Sequence, residues 1–153
     1  MPPKNRIKTD LIKNLQISLV FIWIGFVCAI SFMEAWLKFK AVGVTLQIGL
    51  GIGQLVFGAL NFVEIIIASL ILSGAYLKKR IDRKQKNFNL FLIPLFILLI
   101  QTFWLLPVLD DRATQIINGS TFEKSHWHTL YIILEITKFL SLLLFGKTLF
   151  KSK

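Results

Sequence analysis

The chain has 153 residues, of which 55 % are hydrophobic, with a formal net charge of +10 and a mean hydropathy of +0.68. A soluble domain of this size must cover its surface with polar groups, so the composition argues against one. The single cysteine, Cys28, excludes an internal disulfide.

The apolar residues are concentrated in four segments, each long enough for a helix that crosses a bilayer, which takes about 20 residues. We place these segments at residues 15–38, 53–77, 88–109 and 127–145. The sequence therefore predicts an all-α fold, with residues 1–153 forming one integral membrane domain built as a bundle of four transmembrane helices.

Basic residues are distributed unevenly between the ends of these segments. Most precede the first segment, fill the link between the second and third, or follow the fourth: Lys4, Arg6, Lys8, Lys13, Lys78, Lys79, Arg80, Arg83, Lys84, Lys86, Lys147, Lys151 and Lys153. The positive-inside rule then predicts that both termini are cytoplasmic. This distribution accounts for the net charge without nucleic acid as a partner. The expected partner is the lipid bilayer, and a homo-oligomer or a partner membrane subunit stays open.

The end of the first segment and the link that follows it carry two short-range signals. Glu34 and Lys38 are four residues apart with the acid first, which predicts a helical ion pair. In the link over residues 41–52, Gly49-x-x-x-Gly53 predicts a close approach of two helix backbones. A phosphate loop is disfavoured because no strand precedes these glycines.

Polar side chains also lie inside the second and third segments. Asn61 and Glu64 share one face of the second segment. The polar-leaning face of the third is expected to consist of Gln101, Trp104, Val108 and Asp111. At about 1.5 Å per residue, Asn61 and Gln101 lie roughly 12 Å, and Glu64 roughly 16 Å, below the non-cytoplasmic end.

The fourth segment places His128, Tyr131, Glu135 and Lys138 on one helical face. Lys138 lies at the depth of Glu64, which predicts a buried ion pair between them with Glu135 nearby. Residues 126 and 128 point in nearly opposite directions on a helix, so the two histidines cannot share a metal. Of the two, only His128 is expected to belong to a pocket.

Titratable groups gather in the non-cytoplasmic half of the predicted bundle, whereas the cytoplasmic halves offer only weakly polar groups. This pattern favours a pocket open to the non-cytoplasmic side over a continuous ion path. The ligand would be a small molecule, a cation or a lipid headgroup. Its expected binding residues are Glu34, Asn61, Glu64, Gln101, Asp111, Arg112, His128, Tyr131, Glu135 and Lys138.

Two alternative functions stay open. A membrane enzyme acting on a lipid or quinone would use His128, Glu135 or Glu64 as catalytic groups. A structural or accessory subunit of a membrane complex would use the same polar groups only to hold its helices in register.

A bound metal is a further possibility for the same region. It would need His128 together with Glu34, Glu64 or Asp111 from other helices. A haem held by two histidines is disfavoured because both histidines lie on one helix.

Three stretches of the sequence, residues 31–39, 50–61 and 104–110, carry a resemblance. The chain resembles an uncharacterised family of small bacterial four-span membrane proteins. A fainter likeness in layout extends to the group around the human transmembrane protein two-hundred-and-five. The resemblance implies a four-span protein of the plasma membrane, which in a bacterium is the inner membrane, and it implies no activity.

Overall fold

The computed structural model describes residues 3–81, 88–119 and 126–151, and every regular element in these ranges is helical. The first long helix covers residues 3–40. It consists of an α-helix over Pro3–Val27, a π-helical segment over Cys28–Glu34 and two short turns over Ala35–Leu37 and Lys38–Lys40. A π-helical segment takes one extra residue per turn and therefore shifts the face of every residue that follows it.

The second helix covers Leu46–Ile81 and the fourth covers His126–Lys151. The third helix, over residues 88–117, has four parts, which are Phe88–Phe91, Leu92–Ile100, a second π-helical segment at Gln101–Leu105, and Leu106–Ile117. Each of the four helices is long and apolar enough to cross a membrane. The four predicted segments are thus confirmed as helices.

The predicted boundaries were too narrow at several ends. The link expected over residues 41–52 is mostly helical, since the second helix begins at Leu46. The third helix continues beyond residue 109 to Ile117. Pro107 has no amide hydrogen, so it cannot donate to the carbonyl of Phe103, four residues earlier. Phe103 lies in the π-helical segment, where the regular α-helical hydrogen bonds are already interrupted, and the helix therefore continues past Pro107. The basic link at residues 82–87 lies outside the described residues.

Successive helices run in opposite directions, so the bundle has two distinct ends. The histidine end is formed by residues 34–54, 105–119 and 126–131, and the terminal end carries the start of the first helix and the end of the fourth. The first helix packs against the second and the fourth, and the third contacts the second near the histidine end and the fourth near the terminal end.

The apolar core fills the half of the bundle nearer the terminal end. Trp23, Ile71, Phe91, Leu142 and Phe145 are fully buried there. Phe91 lies between two other aromatic rings, 6.2 Å from Trp23 and 5.1 Å from Phe145 between ring centroids. This core joins all four helices below the polar groups.

The surface between the two ends is apolar. No exposed side chain carries a charge within the described residues 15–33, 55–77, 92–104 and 132–144. The exposed hydroxyls of Ser69, Ser73 and Thr137 each donate to the carbonyl four residues earlier in their own helix, at 2.8 Å. The charged residues of these four ranges are buried, so the polarity is the reverse of that of a soluble bundle.

Candidate functional site

Lys138 lies at the centre of a group of polar side chains inside the bundle. Its Nζ contacts Glu64 Oε1 at 2.6 Å, and it donates to Glu135 Oε1 and to Gln101 Oε1 at 2.8 Å each. The predicted ion pair between Glu64 and Lys138 is therefore confirmed, with Glu135 beside it.

Two further hydrogen bonds complete this group. Gln101 Nε2 donates to Glu135 Oε1 at 3.0 Å, and Trp23 Nε1 donates to Glu64 Oε1 at 2.7 Å. Each of the four helices contributes at least one member, and no member is more than 2 % exposed. We call these five residues, Trp23, Glu64, Gln101, Glu135 and Lys138, the buried cluster.

Trp23 was not among the predicted site residues. Tryptophan in membrane helices is enriched at the interfaces, so one in the middle of an apolar segment signals a partner for its indole N–H. That signal was present in the sequence.

Polar atoms without a partner lie between the buried cluster and the histidine end. Glu135 Oε2 and Ser31 Oγ are buried and make no hydrogen bond within the described residues. Tyr131 lies one turn from Glu135 on the fourth helix and is 5 % exposed. Its hydroxyl is near the Glu135 and Ser31 side chains but makes no hydrogen bond with these two oxygens. The Tyr131 ring packs edge-on against Phe57 at 5.5 Å between centroids.

A cavity of about 550 Å³ opens at the histidine end, between the ends of all four helices. Its walls are mainly apolar, and Phe39, Leu50, Phe57, Leu106 and Leu109 contribute to them. The polar side chains that line it are Lys38, Gln54, Asp110, Arg112, His126, His128, Thr129 and Tyr131.

Lys38 is a charged side chain of the cavity lining that is largely buried, with 8 % of its side chain exposed. Its Nζ donates to Glu34 Oε2 at 3.2 Å, which confirms the predicted pair, and lies 5.3 Å from the centroid of the Phe57 ring. The ammonium also acts electrostatically on His128. Glu34 itself does not line the cavity.

Gly49 and Gly53 pack against side chains of the first helix rather than against a second helix backbone. A Cβ atom at Gly49 would collide with the ring of Phe39, and one at Gly53 would lie 3.0 Å from Lys38 Nζ. The predicted backbone contact was therefore wrong, because the chain turns back at residues 41–45 and brings the end of the first helix over these glycines.

The predicted face of the third helix was also wrong after its first residue. Asp111 is exposed and accepts a hydrogen bond from Gln115, while Trp104 is 51 % exposed. The residues that face inward are Gln101, Leu105, Leu109 and Arg112. Each of the last three is displaced by one position from the prediction, which is the shift that the π-helical segment at Gln101–Leu105 introduces.

Two more expectations differ from the structure. Asn61 joins neither the buried cluster nor the cavity, since its Nδ2 donates to Thr102 Oγ1 at 2.8 Å. His126 was expected to lie outside the pocket, yet both His126 and His128 line the cavity. Both histidines lie in the first turn of the fourth helix, and the cavity is wide enough there for two side chains of different orientation to line it.

The candidate metal ligands are not brought together. Glu34 pairs with Lys38, Glu64 pairs with Lys138, and Asp111 bonds to Gln115, so none of them converges on His128. Within residues 3–81, 88–119 and 126–151, no group of three or more His, Cys, Asp and Glu side chains is placed to hold a metal ion.

No family model matches the chain, and neither a curated protein nor a solved structure matches it. The resemblance to small bacterial four-span proteins stays a prediction.

The sequence predicted one pocket, whereas the structure has two separate regions, the buried cluster and the cavity. The two regions meet at Tyr131.

Proposed function

We propose that this chain is a multi-pass protein of the plasma membrane whose cavity binds a small amphipathic ligand, with a lipid headgroup as the class that fits best. The apolar surface between the two ends supports membrane insertion, because large exposed patches of this kind are unfavourable in water. The exposed hydroxyls bonded back to their own helices are suited to hydrocarbon, where every polar group must be satisfied internally.

The distribution of basic residues supports an orientation with both termini in the cytoplasm. The histidine end, and with it the cavity, would then face the other side. In a Cys28→Ser background, a cysteine at Lys84 should react with an impermeant reagent only from the cytoplasmic side. A cysteine at the exposed Gln115 should react only from the opposite side. The reverse labelling pattern would overturn the orientation.

The charges of the cavity lining favour a ligand with a negatively charged group. Lys38 and Arg112 outnumber the one carboxylate, Asp110. Glu34 lies outside the lining but pairs with Lys38, so the region has no net positive charge. The lining nevertheless presents two cationic hydrogen-bond donors, Lys38 and Arg112, and such donors form strong hydrogen bonds with a phosphate or carboxylate. The apolar walls are suited to the hydrocarbon part of the same molecule, and the volume is within the usual range of ligand sites, about 300–1,000 Å³.

The observation that carries the proposal is the hydrogen bonding of Lys38. An ammonium has three donors. Among the described residues, Glu34 is the only hydrogen-bond acceptor that Lys38 contacts. The remaining donors of this nearly buried group are available to acceptor oxygens that enter the cavity.

The experiment compares Lys38→Met with Lys40→Met. Lys40 is two residues away and exposed, with its Nζ 5.9 Å from the centroid of the Trp36 ring. Binding of phosphatidylglycerol, followed by native mass spectrometry of the purified protein, should weaken about tenfold or more in Lys38→Met, since a hydrogen bond to a charged group contributes about 1.5–3 kcal/mol.

The control variant should bind within about twofold of the wild type, because an exposed charge is screened by salt. Equal losses in both variants would mean that the lipid is attracted by surface charge alone. Unchanged binding in Lys38→Met would overturn the proposed ligand site.

The buried cluster supports a second role, that of holding the helices in register. It joins all four helices, and none of its members lines the cavity. Hydrogen bonds between helices are a common means of fixing their register in membranes.

A further inference from the structure

The charges of the buried cluster do not balance. Glu64 and Glu135 face one ammonium, that of Lys138, and all three side chains are at most 2 % exposed. The charged groups that act on Glu64 are Lys138 and Glu135. With both carboxyl groups ionised, the cluster would carry one unpaired negative charge.

Among the residues that the structure describes, the neighbours of the cluster do not supply the missing positive charge. The first helix presents Trp23 and Ser31, and the third presents Gln101, all of them uncharged. The second and fourth helices contribute the charged groups already named, together with the Tyr131 hydroxyl. An unpaired ion in an apolar interior is costly, and such groups are neutralised instead, most simply by a proton.

A metal cation fits less well than a proton. Such an ion needs several oxygen ligands, and the carboxyl oxygen that faces Lys138 from each glutamate already has two donors. Beside Tyr131, the buried oxygens of the described residues that have no hydrogen bond are Glu135 Oε2 and Ser31 Oγ. A proton on a carboxyl oxygen needs only one acceptor.

The hydroxyl of Tyr131 connects these oxygens to the cavity. Tyr131 lines the cavity and also interacts with Glu135 and Ser31. Tyr131 is thus a cavity-lining residue that also lies beside the Glu135 side chain.

We propose that the buried cluster binds one exchangeable proton, shared by Glu64 and Glu135, which reaches it from the cavity through the hydroxyl of Tyr131. The tyrosine oxygen accepts a proton from a hydronium ion in the cavity, which becomes water, while the tyrosine's own proton passes to the carboxylate. Only O–H bonds form and break, and no electron is transferred. This site does not depend on which ligand the cavity binds.

The test is infrared spectroscopy of the full chain in lipid nanodiscs at neutral pH. The wild type should show the carbonyl band of a protonated carboxylic acid. The band should shift when glutamate side chains carry ¹³C at the carboxyl carbon, which separates them from Asp110. Either Glu64→Gln or Glu135→Gln should abolish the band, because one carboxylate then remains and Lys138 balances it.

The control is Glu34→Gln, which removes a carboxylate outside the buried cluster and should leave the band intact. No glutamic acid band in the wild type would overturn the proposal, and this measurement needs no variant to fold. A band that survives in both Glu64→Gln and Glu135→Gln would also overturn it, since the proton would then lie on another glutamate.

Tyr131→Phe tests the route, because it keeps the ring against Phe57 and removes the hydroxyl. The band should persist, and its exchange of hydrogen for deuterium should slow about tenfold or more. Unchanged exchange would exclude the tyrosine as the route.

Discussion

The buried cluster and the cavity lie one helical turn apart on the fourth helix, at Glu135 and Tyr131, but they differ in how far the protein itself satisfies their hydrogen-bond donors. In the buried cluster, Lys138 has three protein acceptors, and each contact is 2.8 Å or shorter. In the cavity, Lys38 has one acceptor at 3.2 Å and space beside it.

This difference separates two uses of a buried charge. A lysine whose three N–H donors all bond to protein acceptors has no donor available for a ligand, and its hydrogen bonds stabilise the contacts between helices. A lysine with donors that bond to no protein acceptor can bind a ligand that supplies the acceptor. Burial alone does not distinguish them, since both side chains are at least nine-tenths buried.

The largest effect should follow from Trp23→Phe, which removes the indole donor from Glu64. Loss of a buried hydrogen bond to a charged acceptor should lower the free energy of unfolding by about 1.5–3 kcal/mol. Denaturant unfolding in detergent micelles measures it. The matched control is Trp36→Phe.

Trp36 is 55 % exposed, and its indole donates only to the carbonyl of Phe32 in the same helix. Its replacement should cost less than about 1 kcal/mol. If both tryptophan variants lose the same stability, the buried cluster does not hold the bundle together.

A smaller effect is expected from Gly53→Ala in the floor of the cavity. The new Cβ would lie 3.0 Å from Lys38 Nζ, so the ammonium must move by a few tenths of an ångström. Phosphatidylglycerol binding should weaken a few-fold, less than about 1.4 kcal/mol, with little change in stability.

Gly51→Ala is the control for this position, because a Cβ there meets nothing within 4 Å. Both changes share the same gain in helix propensity. Equal binding by the two variants would show that the position of the Lys38 ammonium does not matter for the ligand.

Depth counting along the helices predicted the partners of Lys138 but not the residues that line the cavity. Glu64 and Lys138 lie on regular α-helical segments, where about 1.5 Å per residue gives the depth correctly. Asp111 follows a π-helical segment for which the sequence offered no signal, so its predicted face was off by one residue.

The composition of the cavity depends on where helices begin and end, and such boundaries are hard to derive from hydropathy. Residues 46–52 contain glycines and were predicted as part of a link, yet they are helical, and Gly49 and Leu50 line the cavity. His126 was assigned to the surface because its direction was derived from helical spacing alone. The width of the space between four helix ends does not follow from the period of one helix.

The most direct test of the separation between the two regions is the stabilisation by phosphatidylglycerol of Lys38→Met and Trp23→Phe, measured side by side as the shift in thermal unfolding temperature. A ligand at about 100 times its Kd stabilises a protein by about 2.7 kcal/mol. Lys38→Met also removes the ion pair with Glu34, so its unfolding temperature without ligand is not the readout. We predict that Lys38→Met loses the shift that the lipid causes. Trp23→Phe should unfold at a lower temperature and keep the shift. Loss of the shift in both variants, or in Trp23→Phe alone, would contradict the division of the molecule into a buried cluster that holds the helices and a cavity that binds the ligand.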